Sequence, residues 1–140
     1  MAKPKAPKSL GILYDSGALI AADRDDRRMW ALHARALQRG VRPIIPAGCI
    51  VEAWRGARQP NLARLLEGSE IEALDELRGK RSGTLRAGVT GSVSAVDATA
   101  VEAGIRRGAA IVTSDRSDIE SLAVAAKRRV AIIDIYEEAP

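Results

Sequence analysis

The sequence predicts an α/β domain in which a five-stranded parallel sheet is flanked by helices on both faces. Three observations predict it. Short apolar runs alternate with helical patterns along the chain. Two of these runs, Leu10 to Tyr14 and Ala109 to Thr113, are apolar enough to be strands buried on both sides. Each leads into an aspartate, Asp15 and Asp115, and open parallel sheets collect ligands at the carboxyl ends of strands where strand order reverses.

Met1 to Ser9 is an Ala/Pro/Lys tail containing Lys3, Lys5 and Lys8, expected to be disordered, so the folded domain is placed at Leu10 to Tyr136. Leu10-Gly-Ile-Leu-Tyr14 gives the first strand, and Ser16 to Ala22 a short helix. Asp25 to Gly40 carries acids at its start, Trp30, Leu32, His33 and Leu37 at helical spacing, and a glycine stop. Val41 to Ile45 reads as the second strand, with Pro46 opening a helix to about Arg55. Asn61 to Leu66 is a short helix and Ile71 to Leu74 a weak third strand. Asp75 to Ala87 is helical in pattern but interrupted by Gly79 and Gly83, and Gly88 to Ser94 is a loop. Val96 to Arg107 is a helix ended by Gly108, ahead of the strand Ala109 to Thr113. A helix over Asp118 to Arg128 and a last strand over Val130 to Ile135 complete the alternation, with no internal repeat.

Composition narrows the possibilities. At 140 residues and 46% hydrophobic, the chain suits one domain with its own core. The single cysteine, Cys49, excludes a disulfide framework and a Cys-rich zinc site. No apolar run approaches a membrane span, and Asp15 breaks the segment that a secretory signal would need, so a cytoplasmic protein is expected. The net charge of +4 owes most to the three lysines of the tail. Arginine dominates the remaining cations, which suits phosphate contacts and equally follows from a composition rich in Ala, Arg and Gly.

Four acids combine into one site hypothesis: Asp15, Glu52, Asp97 and Asp115, with Asp118 one helical turn beyond the last. Carboxylates gathered at one sheet edge repel each other, and a hard divalent cation relieves that repulsion. Mg²⁺ or Mn²⁺ takes oxygen ligands, commonly one or two carboxylates with waters and substrate phosphate. With no His or Cys in the set, zinc is disfavoured. Taken singly, each acid has a structural reading. Asp15 and Asp115 would serve as helix caps, Asp97 as a first-turn acid favoured by the helix dipole, and Glu52 as an exposed helix residue. Their conjunction is the argument.

These residues also carry a resemblance. The segments Leu13-Tyr-Asp-Ser-Gly-Ala-Leu-Ile20, Pro46 with Glu52-Ala-Trp-Arg-Gly56, Val96-Asp-Ala98 and Val112-Thr-Ser-Asp-Arg-Ser-Asp-Ile119, in this order over Ile12 to Ile133, resemble the PIN-domain family and most closely its VapC-type toxins. The resemblance implies a single PIN-like nuclease domain, a metal-dependent endoribonuclease, a homodimer and a cognate antitoxin. By position it implies Asp15, Glu52, Asp97 and Asp115 as the catalytic quartet. Asp15, Asp97, Asp115 and Asp118 would hold Mg²⁺ or Mn²⁺, and Ser16, Thr113 and Ser114 would support the ligands. Metal-activated water would cleave RNA to a 5′-phosphate and a 3′-hydroxyl. The chain departs from the family at Gly17, where relatives often have Ser or Thr, and at Ser94, where they often have Asp.

Arg24, Arg27, Arg28, Arg35, Arg39 and Arg42 crowd the second helix, and Arg78, Lys80, Arg81 and Arg86 follow in the middle segment. They are either solvated helix faces or contacts to an RNA backbone, with Arg81 and Arg86 the preferred RNA-binding candidates. The few aromatic residues offer no stacking platform for bases. His33, Cys49 and Trp30 read as packing residues, and Trp54 as packing or, if exposed, an anchor for a partner. The alternative to a nuclease is a catalytically weak PIN module that binds RNA or a protein. A phosphoacceptor receiver domain lacks its mid-chain Asp and late Lys here, and neither a P-loop nor a G-x-G-x-x-G motif occurs.

Overall fold

The computed structural model describes residues 11–137, so the tail expected over Met1 to Ser9 lies outside the described residues. Its strands are β1 (Gly11–Tyr14), β2 (Ile44–Pro46), β3 (Glu70–Glu72), β4 (Ala109–Thr113) and β5 (Ile132–Asp134). They form one sheet in the order β3-β2-β1-β4-β5, and every pairing is parallel. The central strands are the two most apolar runs of the chain. Leu13, Tyr14, Ile111 and Val112 are fully buried, and all five residues of β4 are inside.

The helices are α1 (Ser16–Asp23), α2 (Arg27–Gln38), α3 (Ala47–Ala53), α4 (Pro60–Glu67), α5 (Glu76–Ala87), α6 (Ala95–Arg107) and α7 (Arg116–Ala126). α1 packs against α2, α3 and α4, whereas α6 packs against α5 and α7. Right-handed crossovers, the general rule for parallel strands, put these two groups on opposite faces of the sheet. The groups meet where α3 touches α6. Strand order reverses between β1 and β4, which are paired in the register Tyr14 to Val112.

α2 shows how the sequence signals become structure. Asp26 caps its N-terminus by accepting from the Met29 N–H at 3.0 Å. Met29, His33 and Ala36 are buried, while the arginines stay outside. Tyr14 and His33 share a hydrogen bond of 2.8 Å between the phenol oxygen and Nδ1, and Trp30 meets the His33 ring edge-on at 5.5 Å. Burial and the nearby Arg64 lower the His33 pKa, which favours a neutral ring. His33 is thus the packing residue its spacing predicts.

Several boundaries differ from the sequence reading. α5 is continuous through Gly79 and Gly83. Each glycine costs about 1 kcal/mol of helix propensity, but Asp75 caps the helix through the Arg78 N–H at 2.9 Å and α5 lies against α6. α7 starts two residues earlier than its pattern predicts because Asp115 caps it by accepting from Ser117. Pro46 both closes β2 and stands as the N-cap residue of α3. β2, β3 and β5 are three residues each, shorter than their apolar runs.

An ion-pair cluster at the β3 margin is absent from the sequence reading. Glu72, at the carboxyl end of β3, is buried and receives Arg78 at 3.3 Å, Arg107 at 3.0 Å and Arg106. Arg106 also binds Glu102 at 2.9 Å, and Arg107 binds Glu70 at 2.6 Å. The cluster ties the outer strand to α5 and α6.

Candidate active site

The parallel register delivers the predicted acids to one edge. The Asp15 N–H donates to the Val112 carbonyl at 3.2 Å, so the end of β1 is fastened to the end of β4. The Asp15 side chain, 3% exposed, caps α1 by accepting from the Ala18 N–H at 2.9 Å. The cap uses one carboxylate oxygen, so the structural reading of Asp15 does not exclude the functional one. Burial is the main cause that raises its pKa to about 6. The Asp97 charge adds to the rise, and contacts with Thr113 and Ala18 oppose it.

Asp97 sits in the first turn of α6, behind the N-cap Ser94. The Asp97 N–H donates to Ser94 Oγ at 2.9 Å, and the Ser94 hydroxyl supports the Asp97 carboxylate in return. Ser94 is thus the side-chain N-cap of α6, so the departure at Ser94 has a structural role: it holds the turn that carries Asp97. Burial raises the Asp97 pKa, and Asp118, Glu52 and Asp115 push in the same direction. Asp118 of α7, Glu52 of α3 and Asp115 thus lie within electrostatic reach of Asp97. Glu52 is exposed and is reached by the Ser16 hydroxyl at 3.4 Å. Asp115 is exposed and bonded to the Ser117 N–H and hydroxyl at 3.1 and 2.9 Å.

The three supporting residues are also placed here. Ser16 touches Glu52. Thr113 lies against Asp15 and exchanges hydrogen bonds of 3.1 Å with the Asp115 backbone. Ser114 explains the departure at Gly17, because a Cβ on Gly17 would come within 2.2 Å of Ser114 Oγ. The missing side chain leaves the hydroxyl of β4's trailing turn to occupy that space. Cys49 is buried beneath the acids, and burial raises its thiol pKa, with the Asp15, Asp97 and Glu52 charges adding to it.

Among the described residues, none of the five acids has a Lys or Arg partner. Nor do any three acidic, His or Cys side chains there close on one point tightly enough to hold a metal ion. This excludes a pre-formed cage of the zinc type. The donor set still fits Mg²⁺ or Mn²⁺, which keep several waters and need only one or two carboxylates from the protein. The unneutralised Asp15 is the feature that such a cation would satisfy.

The two arginines preferred as RNA contacts fare differently. Arg81 is exposed on α5. Arg86 donates through Nε to the Val93 carbonyl at 3.0 Å, which secures the loop just before Ser94. That bond gives Arg86 a role in positioning α6. Trp54 is 45% exposed, next to the 76%-exposed Val51 of α3.

No protein-family model matches the chain, and no curated protein matches it. Solved structures do. A chain of a toxin–antitoxin complex from Klebsiella pneumoniae superposes with a TM-score of 0.67 at 17% identity, covering 91% of this chain and 100% of the other. A chain of DNA-bound VapBC from Salmonella typhimurium gives 0.66 at 17% identity over 91% and 99%. The fold is the PIN-like fold. A FitAcB chain from Neisseria gonorrhoeae agrees, at 0.62 and 15% identity over 91% and 99%. Within the PIN-like fold the five acids occupy the carboxyl edge at the β1–β4 switch point, where such sheets bind ligands. Among the described residues no helix is long and apolar enough to cross a membrane.

Proposed function

We propose that the chain is a Mg²⁺- or Mn²⁺-dependent endoribonuclease of the PIN type, acting in the cytoplasm as the toxin of a toxin–antitoxin pair. One observation carries this reading: at the switch-point edge the buried Asp15 and the half-buried Asp97 feel other acids and have no Lys or Arg ion pair among the described residues, and the pKa of each is raised. Asp15, Asp97 and Asp115 would hold the ion directly or through its waters, with Asp118 and Glu52 within electrostatic reach of Asp97. When bound, the ion supplies charge neutralisation for the phosphodiester and activation of water.

The protein's own groups prepare the edge. Ser16 steers Glu52, the Ser94 cap fixes the turn of Asp97, and Thr113 stiffens the turn that carries Asp115. The starts of α1, α6 and α7 lie at the same edge, and their positive ends offset repulsion among the acids while favouring an anionic substrate. The toxin role is supported by the fold neighbours, several of which are toxin–antitoxin complexes. An antitoxin and a second copy of the chain are the partners proposed with it. The spacing of the acids, which do not close on a point, favours the second reading, a PIN module that binds without cleaving.

The test is cleavage of total cellular RNA by the purified chain with and without Mn²⁺ or Mg²⁺, beside Asp97→Asn. Metal-dependent fragments with 5′-phosphate ends are expected, reduced by about 10²-fold or more in the variant, since even outer partners of a metal ligand are worth 10- to 100-fold. If neither metal gives cleavage and calorimetry shows no Mn²⁺ binding, the binding-module reading replaces the enzyme.

A further inference from the structure

α2 is a helix without an acid. Its twelve residues include Arg27, Arg28 and Arg35, and Arg24, Arg39 and Arg42 flank it. The helical repeat gathers Arg27, Ala31, Ala34, Arg35, Gln38 and Arg39 on one exposed face, opposite the buried Met29, His33 and Ala36.

Among the described residues, Arg27, Arg35 and Arg39 have neither an ion pair nor a side-chain hydrogen bond. The acids at the head of the helix are largely occupied. Asp23 binds Arg55 at 2.9 Å, while Asp26 caps the helix and accepts from the Tyr136 hydroxyl at 3.1 Å. Only Asp25, exposed at φ 59°, faces solvent there without such a bond. Other arginines of this chain are neutralised, Arg78, Arg106 and Arg107 by Glu72 and its neighbours. The positive face of α2 is therefore left open, whereas the arginines around Glu72 are closed.

Two tethers give the helix a direction relative to the acids. At its start, Arg28 donates to the Tyr136 carbonyl at 3.3 Å, and Tyr136 follows the carboxyl end of β5. Beyond its end, Arg42 donates to the Ser69 carbonyl at 3.2 Å, and Ser69 precedes β3. α2 thus runs from the edge that carries the carboxylates toward the opposite edge. Its twelve residues span roughly 18 Å, the length of several phosphate steps. Arginine forks on a rigid rod suit phosphate oxygens, and the absence of stacked aromatics suits a backbone contact rather than base reading.

We propose that the arginine face of α2 binds the phosphate backbone of the RNA substrate outside the cleaved bond, so that the enzyme prefers RNA long enough to lie along the helix. This rests on the nuclease reading and adds to it a second contact zone. Catalytic groups stay with the acids; the α2 arginines are positioning residues.

The experiment compares the full chain with a triple variant, Arg27→Gln, Arg35→Gln and Arg39→Gln, and with the same three changed to Lys. Two probes are used, a labelled single-stranded RNA long enough to span α2 and a labelled tetranucleotide. Binding is measured by anisotropy in the Asp97→Asn background over a salt series, and cleavage in the active background. For the long RNA, the Gln variant should bind about tenfold more weakly or worse, and its slope of log affinity against log salt should fall by roughly 2, about 0.7 for each of three lost phosphate contacts. The Lys variant should keep most of the slope. The tetranucleotide should be bound and cut equally by all three proteins. An unchanged slope and affinity for the long RNA in the Gln variant overturns the proposal and leaves the face to an acidic protein partner. Equal losses on both probes also overturn it, since they would place the arginines at the cleavage site or in the fold. Failure of the nuclease reading looks different: no protein cuts either probe, whatever the slopes.

Discussion

Two groups of buried or half-buried acids lie at the carboxyl ends of strands, and the protein treats them in opposite ways. At β3, Glu72 is surrounded by Arg78, Arg106 and Arg107. At β1, Asp15 is equally buried but has only the Ala18 and Gly17 N–H groups, a threonine and an acid for company. Ionised carboxylates inside a protein call for partners, and the β3 cluster shows that this chain has the arginine remedy at hand. Its absence around Asp15, Asp97, Asp115 and Asp118 among the described residues is the difference on which the proposed cation rests.

The contrast can be broken from either side. The largest effect on stability is expected from pH at the acid edge. Asp15 has a pKa near 6 when folded against 3.8 when free, so between those values the native state holds a proton that the unfolded chain has released. Stability of the metal-free protein should therefore fall as pH rises from about 4 to about 6 and level off above, by up to roughly 3 kcal/mol. The raised pKa of Asp97 acts in the same direction. Denaturant melts across this range should show the slope in the wild type and a flatter profile in Asp15→Asn, which keeps a capping oxygen. Saturating Mn²⁺ should remove the penalty near neutral pH. A flat wild-type profile would contradict the contrast.

A smaller effect is expected at β3. Arg106→Met leaves Glu72 with two arginines and Glu102 without its partner. Breaking a buried pair costs about 3–5 kcal/mol. Because Arg106 is 22% exposed and Arg78 and Arg107 remain, about 1–2 kcal/mol is the expected loss. Urea midpoints should record it, while cleavage well below the unfolding transition persists. Loss of cleavage at full folding would mean that the cluster, too, serves the chemistry.

The smallest effect belongs to the close approach of α1 and the turn after β4. Gly17→Ala would press a methyl against Ser114 Oγ and should cost about 1 kcal/mol. Adding Ser114→Gly should recover most of it, and a double-mutant cycle on thermal melts measures the coupling.

Much of this was readable from residue order. The apolar runs that became β1 and β4 stand out because both faces of those strands are covered, and the aspartates after them follow from sheet geometry. His33 sits at core spacing and is buried. What escaped the sequence depends on contacts between distant segments. Gly79 and Gly83 argue against a helix locally, yet packing on α6 sustains α5. Glu70-Ile-Glu72 and Arg106-Arg107 are complementary pairs, but nothing local says that β3 and the end of α6 are neighbours. Arg86 looks like any exposed cation until its bond to Val93 is seen, and Gly17 looks like a missing hydroxyl until Ser114 is found in its place.

The pairing of β1 with β4 also sets a timetable. Asp15 and Asp115 stand a hundred positions apart in the chain, and they become neighbours only when two non-adjacent strands join in parallel. Such long-range pairing is among the slower events of folding. During synthesis, β1 waits with one side unmatched until β4 has emerged, and no shorter piece of the chain gathers the acids. The acid edge therefore assembles only after β4 and the start of α7 have emerged.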